Sequence, residues 1–142
     1  MSSVQSAVLP VLEQKLPKVI GPTTHGIIDY AHAAFFLGVA LLYRGSNKRA
    51  ARAALGTSAF ILTQAMLTDY RFGVKPVLSF AAHGKLDEAF ASASWIVPRI
   101  FGFNGAPGAK IFEVNSFAEA AVIGLTDFDS ERARRERLAA GE

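Results

Sequence analysis

The sequence predicts an all-α fold: a four-helix transmembrane bundle built from two tandem helical hairpins. Three observations carry that expectation. Hydrophobic residues make up 51% of the 142-residue chain and charged residues only 19%, which excludes wholesale disorder. Four stretches approach the ~20 residues a bilayer requires. Two separate polar motifs return at one common spacing of 58 residues, the mark of an internal duplication.

The chain begins with a segment, residues 1–21, that holds Pro10 and Pro17 and a short amphipathic run from Val4 to Leu16. It lacks the pattern of a cleaved signal and reads as a surface segment. The first span runs from Gly26 to Tyr43 and stops at Arg44. The second covers Arg52 to Thr68, and the third covers Leu86 to Phe103, with Pro98 expected to kink it. The fourth, Ile111 to Leu125, is the weakest, because Glu113, Asn115, Ser116 and Glu119 interrupt it. Ala, Gly, Ser and Thr are abundant in these spans, as suits close helix packing in lipid. Residues 129–142 form a polar tail of mixed charge, expected to be a solvated helix. A mean hydropathy of +0.26 is moderate, so a soluble four-helix bundle is the structural rival.

The duplication is read from HGIID at His25–Asp29, which returns as HGKLD at His83–Asp87, and from TDY at Thr68–Tyr70, which returns as TDF at Thr126–Phe128. The membrane domain 22–128 thus divides into repeat one, 25–70, and repeat two, 83–128. Each repeat holds an even number of spans, so both enter from one face and a pseudo-two-fold axis lies along the membrane normal. HGIIDY, LTDYRFGVKPVLSFAAHGKLD and the segment ending PRIFGF resemble the SPW-repeat family of small bacterial integral membrane proteins. That resemblance spans about Pro22 to Phe128 and implies two pairs of membrane helices in a bacterial cytoplasmic membrane. The family's Ser-Pro-Trp signature falls on Val97-Pro98-Arg99 in repeat two and on Val39-Ala40-Leu41 in repeat one, so the chain is a divergent member at best.

His25 with Asp29, and His83 with Asp87, stand four residues apart and share a helix face. Asp69 and Asp127 sit at helix C-termini, where the macrodipole favours a cationic or donor partner. The preferred reading is a His–Asp clamp that closes each hairpin, among His25, Asp29, Asp69, His83, Asp87 and Asp127. A proton relay, or ligation of a metal, haem or pigment by His25, His32 and His83, is the alternative. No resident metal or cofactor is expected. Gly26 and Gly84 are assigned to close helix packing, and Arg99 is the expected partner of Glu119. Without cysteine, a thiolate metal site and a cysteine nucleophile are excluded. No Gly-x-Ser-x-Gly elbow is present, and no enzyme activity is expected. The expected role is that of an accessory or scaffolding subunit. Trp95, Tyr43, Phe101 and Phe103 would contact other membrane subunits and lipid. Neither nucleic acid nor a soluble substrate is foreseen. The arrangement of Lys and Arg places the termini on the cytoplasmic side.

Overall fold

The computed structural model describes residues 16–129, together with 134–135, 138–139 and 141. The N-terminal run up to Lys15 and most of the polar tail lie outside the described residues. Among those described, all regular structure is helical: α1 (Pro22–Tyr43), α2 (Lys48–Leu67), α3 (Phe80–Ser94), the single turn α4 (Val97–Ile100) and α5 (Ala109–Leu125).

Local chemistry sets these boundaries. Pro22 opens α1 at the first helical position, where its missing N–H is not needed. Asn47 caps α2 by accepting the Ala50 N–H at 3.1 Å, and Ser79 caps α3 by accepting that of Ala82 at 3.2 Å. Gly108, with φ of 100°, turns the chain into α5 through a left-handed conformation that favours glycine.

The third helix differs from its expected course. It starts earlier, at Phe80, and ends at Ser94 instead of continuing to Phe103. Pro98 lacks an N–H, and its ring meets the carbonyl four residues back. The helix therefore breaks over Trp95 and Ile96, and Pro98 falls in the first turn of the separate helix α4. Gly102, with φ of 71°, then sends Phe103 inward, edge-on to Phe112 at 5.5 Å between centroids. Phe103 is thus a core residue, 3% exposed, and its expected role as a partner contact is corrected. Phe101 remains exposed, Trp95 is half-buried edge-on to Phe117, and Tyr43 packs against the core.

Close backbone packing lies within the hairpins, α1 on α2 and α3 on α5. The interior has two apolar clusters. The larger gathers Phe36, Val39, Ile61, Phe103 and Phe112 with small alanines, and the smaller joins Ala65, Tyr70 and Phe80.

Equivalent bonds repeat at the 58-residue offset. Ser58 donates to the Ala33 carbonyl at 2.8 Å, and Ser116 to that of Ala91 at 2.6 Å. Leu78 pairs with Thr68 and Ile20 with Thr126 as isolated parallel bridges. The amide of Asp69 reaches the Leu78 carbonyl at 2.8 Å, and that of Asp127 reaches Ile20 at 2.9 Å. The segment entering α1 is therefore fastened to the end of α5, while the segment entering α3 is fastened to the end of α2.

Polar side chains share the interior with the two apolar clusters. His25, Asp29, Thr57, Ser58, Gln64, Thr68, His83, Asp87, Ser94, Asn115, Ser116 and Thr126 are buried. Large apolar side chains face outward, among them Leu42 at 71% exposure, Ile100 at 69%, Val114 at 64% and Phe117 at 61%. One helix, α1, is long and apolar enough to cross a membrane by itself.

Candidate functional site

Each H-G-x-x-D motif opens a helix, and each T-D motif closes one. In an α-helix, positions i and i+4 stack on one face, so His25 presents its ring beside Asp29 on α1 and His83 does so beside Asp87 on α3. The glycines let the T-D loops approach. A Cβ on Gly26 would lie 3.1 Å from the Tyr70 ring, and one on Gly84 would lie 2.8 Å from that of Phe128. The room at both glycines goes to aromatic rings of the T-D segments and not to a neighbouring helix, so the expected close helix packing is corrected to packing of these segments on the helices.

The two motif pairs meet in one buried centre. His25 Nε2 lies 3.2 Å from His83 Nε2. Asp87 Oδ2 is 3.1 Å from each of these nitrogens. Asp29 approaches them through Oδ1, 3.3 Å from His25, and Oδ2, 3.4 Å from His83. Both imidazoles are 1% exposed. Phe80 and Phe128 stand edge-on to the His25 ring at 5.4 and 5.3 Å and wall off that side.

The other ring nitrogens meet threonine. His25 Nδ1 is 3.0 Å from Thr126 Oγ1, and His83 Nδ1 is 2.7 Å from Thr68 Oγ1. Thr126 donates its hydroxyl to the Val122 carbonyl at 2.7 Å, and Thr68 donates to that of Gln64 at 2.6 Å. A hydroxyl has one hydrogen, so each threonine oxygen can only accept from the imidazole. The network therefore assigns a proton to Nδ1 of both rings and turns both Nε2 atoms toward each other and toward the carboxylates.

The carboxylates are held from behind. Gln64 donates through Nε2 to Asp87 Oδ1 at 2.7 Å and to the His83 carbonyl at 3.3 Å. Its Oε1 is buried without a hydrogen-bond partner, and exchanging the two amide atoms would set oxygen against oxygen at Asp87. Tyr70 donates its hydroxyl to Asp29 Oδ2 at 2.9 Å. Burial, with the Asp29 carboxylate as second cause, pushes the Tyr70 phenol far above its ordinary range, so it remains a donor.

The expected clamp thus takes a different form. It runs between the repeats instead of closing each hairpin, since His25 meets Thr126 and His83 meets Thr68. Asp69 and Asp127 are half-buried neighbours of those threonines, with backbone amides committed to Leu78 and Ile20. His25, Asp29, His83 and Asp87 come together. Thr68, Thr126, Gln64 and Tyr70 were not singled out as site residues. The threonines carried a readable signal, because they are the invariant first letters of the repeated T-D motif. Gln64 carried none, because Val122 occupies its place in repeat two.

His32 forms a separate pair deeper in the bundle. Its Nδ1 is 3.3 Å from Glu119 Oε2 and its Nε2 is 2.6 Å from Asn115 Oδ1. Glu119 therefore meets His32 where Arg99 was expected. Both ring nitrogens of His32 are engaged, which disfavours it as an axial ligand.

Compared with protein families, curated proteins and solved structures, the chain matches none.

Proposed function

We propose that the chain is a multi-pass integral membrane protein of a bacterial cytoplasmic membrane, a non-enzymatic accessory or scaffolding subunit of a larger membrane complex. The observation that carries this reading is the apolar outer surface combined with buried, hydrogen-bonded polar side chains. Lipid offers apolar side chains no penalty, but it gives backbone and side-chain polar groups no partner. A bundle that keeps serine, threonine, asparagine, glutamine and histidine inward among its apolar core, and exposes further leucine, phenylalanine and valine, suits that solvent. α1 spans about 33 Å at 1.5 Å per residue, enough for a hydrocarbon core of about 30 Å. The resemblance to SPW-repeat proteins, carried by the H-G-x-x-D and T-D motifs, points the same way. The grooves on the surface are shallow and mainly apolar, and the outward faces of Leu42, Phe101 and Phe117 with Trp95 offer contact to other subunits and lipid.

Alkaline carbonate washing of native membranes tests the first half of the reading: the chain should stay with the lipid, and release into the wash would sink it. Gentle detergent extraction followed by native electrophoresis tests the second half. Migration in a large assembly is expected, whereas a free monomer throughout would remove the accessory role. A second reading, a metal- or proton-handling protein, is favoured by one feature, the buried His–Asp centre.

A further inference from the structure

We infer that His25, His83 and Asp87 form a three-ligand site for one divalent transition-metal ion, of the zinc or iron(II) class, which staples the two repeats together. The first argument is orientation. Both Nδ1 atoms are turned to threonine, so His25 Nε2 and His83 Nε2 converge at 3.2 Å with Asp87 Oδ2 at 3.1 Å from each. Two imidazole nitrogens and a carboxylate oxygen thus gather at one buried point.

The second argument is distance. A tetrahedron with arms of about 2.0–2.1 Å, the length of metal bonds to imidazole and carboxylate, has edges of about 3.3–3.4 Å. The triangle of His25 Nε2, His83 Nε2 and Asp87 Oδ2 has edges of 3.2, 3.1 and 3.1 Å, and among the described residues these three satisfy the proximity that a shared ion demands. Asp29 stands beside them with a different oxygen toward each nitrogen, Oδ1 at 3.3 Å and Oδ2 at 3.4 Å.

The third argument is the supporting shell. Ligating histidines fix their tautomer by donating the other N–H, and ligating carboxylates are held by hydrogen bonds. Thr68, Thr126 and Gln64 do these three tasks, one for each ligand, and Tyr70 holds Asp29 beside them. The mixed nitrogen and oxygen donors favour zinc, iron(II) or manganese(II). Calcium and magnesium want six or more oxygens, and a tetrahedral set is poor for copper(II). One ligand comes from the first H-G-x-x-D motif and two from the second, so the ion joins α1 to α3, whereas the most extensive backbone packing lies within the hairpins.

The test uses the full chain, purified without a histidine tag or chelator from cells grown with ordinary trace metals. Elemental mass spectrometry should find about one transition-metal ion per chain. After chelator stripping, titration with cobalt(II) should raise the visible ligand-field band of tetrahedral cobalt, saturating at one equivalent. His83→Gln should abolish the band, and Thr68→Val, which removes only support, should weaken cobalt binding about 10–100-fold. A wild-type chain that carries no metal and develops no band with excess cobalt overturns the proposal, and so does a band that survives in both His25→Gln and His83→Gln. Should the histidine variants fail to fold, the wild-type titration decides alone. The carbonate wash is read separately, so a metal-free chain that stays in the membrane refutes the site and leaves the membrane reading standing.

Discussion

Thr68 and Thr126 are small residues with a large share of the site's order. Each passes an imidazole proton's hydrogen bond on to a helix carbonyl, and so decides which nitrogen each histidine presents. Thr68→Val keeps the shape and removes the acceptor, leaving a buried N–H at His83 unpaired. The expected loss is about 1–3 kcal/mol, read by thermal unfolding in detergent, and Thr126→Val should match it because the two sites are equivalent. Tyr70 makes a prediction in pH. The unfolded phenol ionises near its ordinary pKa of about 10, while the folded one, buried beside Asp29, is raised well above it. Its contribution to stability is therefore complete below about pH 10 and is lost as pH rises further. Tyr70→Phe should flatten the alkaline decline in melting temperature, and an unchanged alkaline limb would contradict the assignment. Phenylalanine fits that place sterically, as Phe128 shows at the equivalent position.

At the scale of the element, the two H-G-x-x-D helices are alike in sequence but not in clearance. An added methyl would sit 2.8 Å from the Phe128 ring at Gly84, and 3.1 Å from the Tyr70 ring at Gly26. Alanine gains up to about 1 kcal/mol of helix propensity over glycine, while overpacking costs about 1–3 kcal/mol. Gly84→Ala should therefore be destabilising on balance by about 1–2 kcal/mol, whereas Gly26→Ala should stay within about 1 kcal/mol of the parent. Paired unfolding curves measure the difference, and the reverse order would mean that the Phe128 side is the looser one.

For the whole molecule, the two-fold relation shows what the fold does not need. His32 of repeat one and Glu119 of repeat two meet across the repeats, and their counterparts at the 58-residue offset are Phe90 and Ile61, while the serine-to-carbonyl bonds are kept in both repeats. Replacing both partners of a buried hydrogen-bonded pair by apolar residues of similar shape can be nearly neutral, but removing one alone leaves the other unsatisfied at a cost of about 1–3 kcal/mol. The double variant His32→Phe/Glu119→Ile should accordingly be about as stable as the parent. His32→Phe alone, which strands the Glu119 carboxylate, should be clearly less stable. A double-mutant cycle on melting free energies reads the coupling, and simple additivity of the two losses would refute the pairing.

The helical class, the duplication and the residues of the buried centre were all legible in the sequence. Hydrophobic runs and motif spacing report on local chain geometry, and stacking at i and i+4 needs no knowledge of the rest of the fold. The end of the third helix was harder to read. A proline four residues past Ser94 signals a disturbance, and only packing decided that the chain would break there and bury Phe103. Pairing across the repeats was not legible either. Within one hairpin, Asp69 and Asp127 were the natural partners for the histidines. Fastening Ile20 to Thr126 and Leu78 to Thr68 instead delivers each histidine to the far repeat's threonine. The sequence alone determined which side chains are costly to bury. The tertiary structure decided which of them share that burial, because hydrogen-bond partners 101 residues apart are set by how helices meet and not by spacing along the chain.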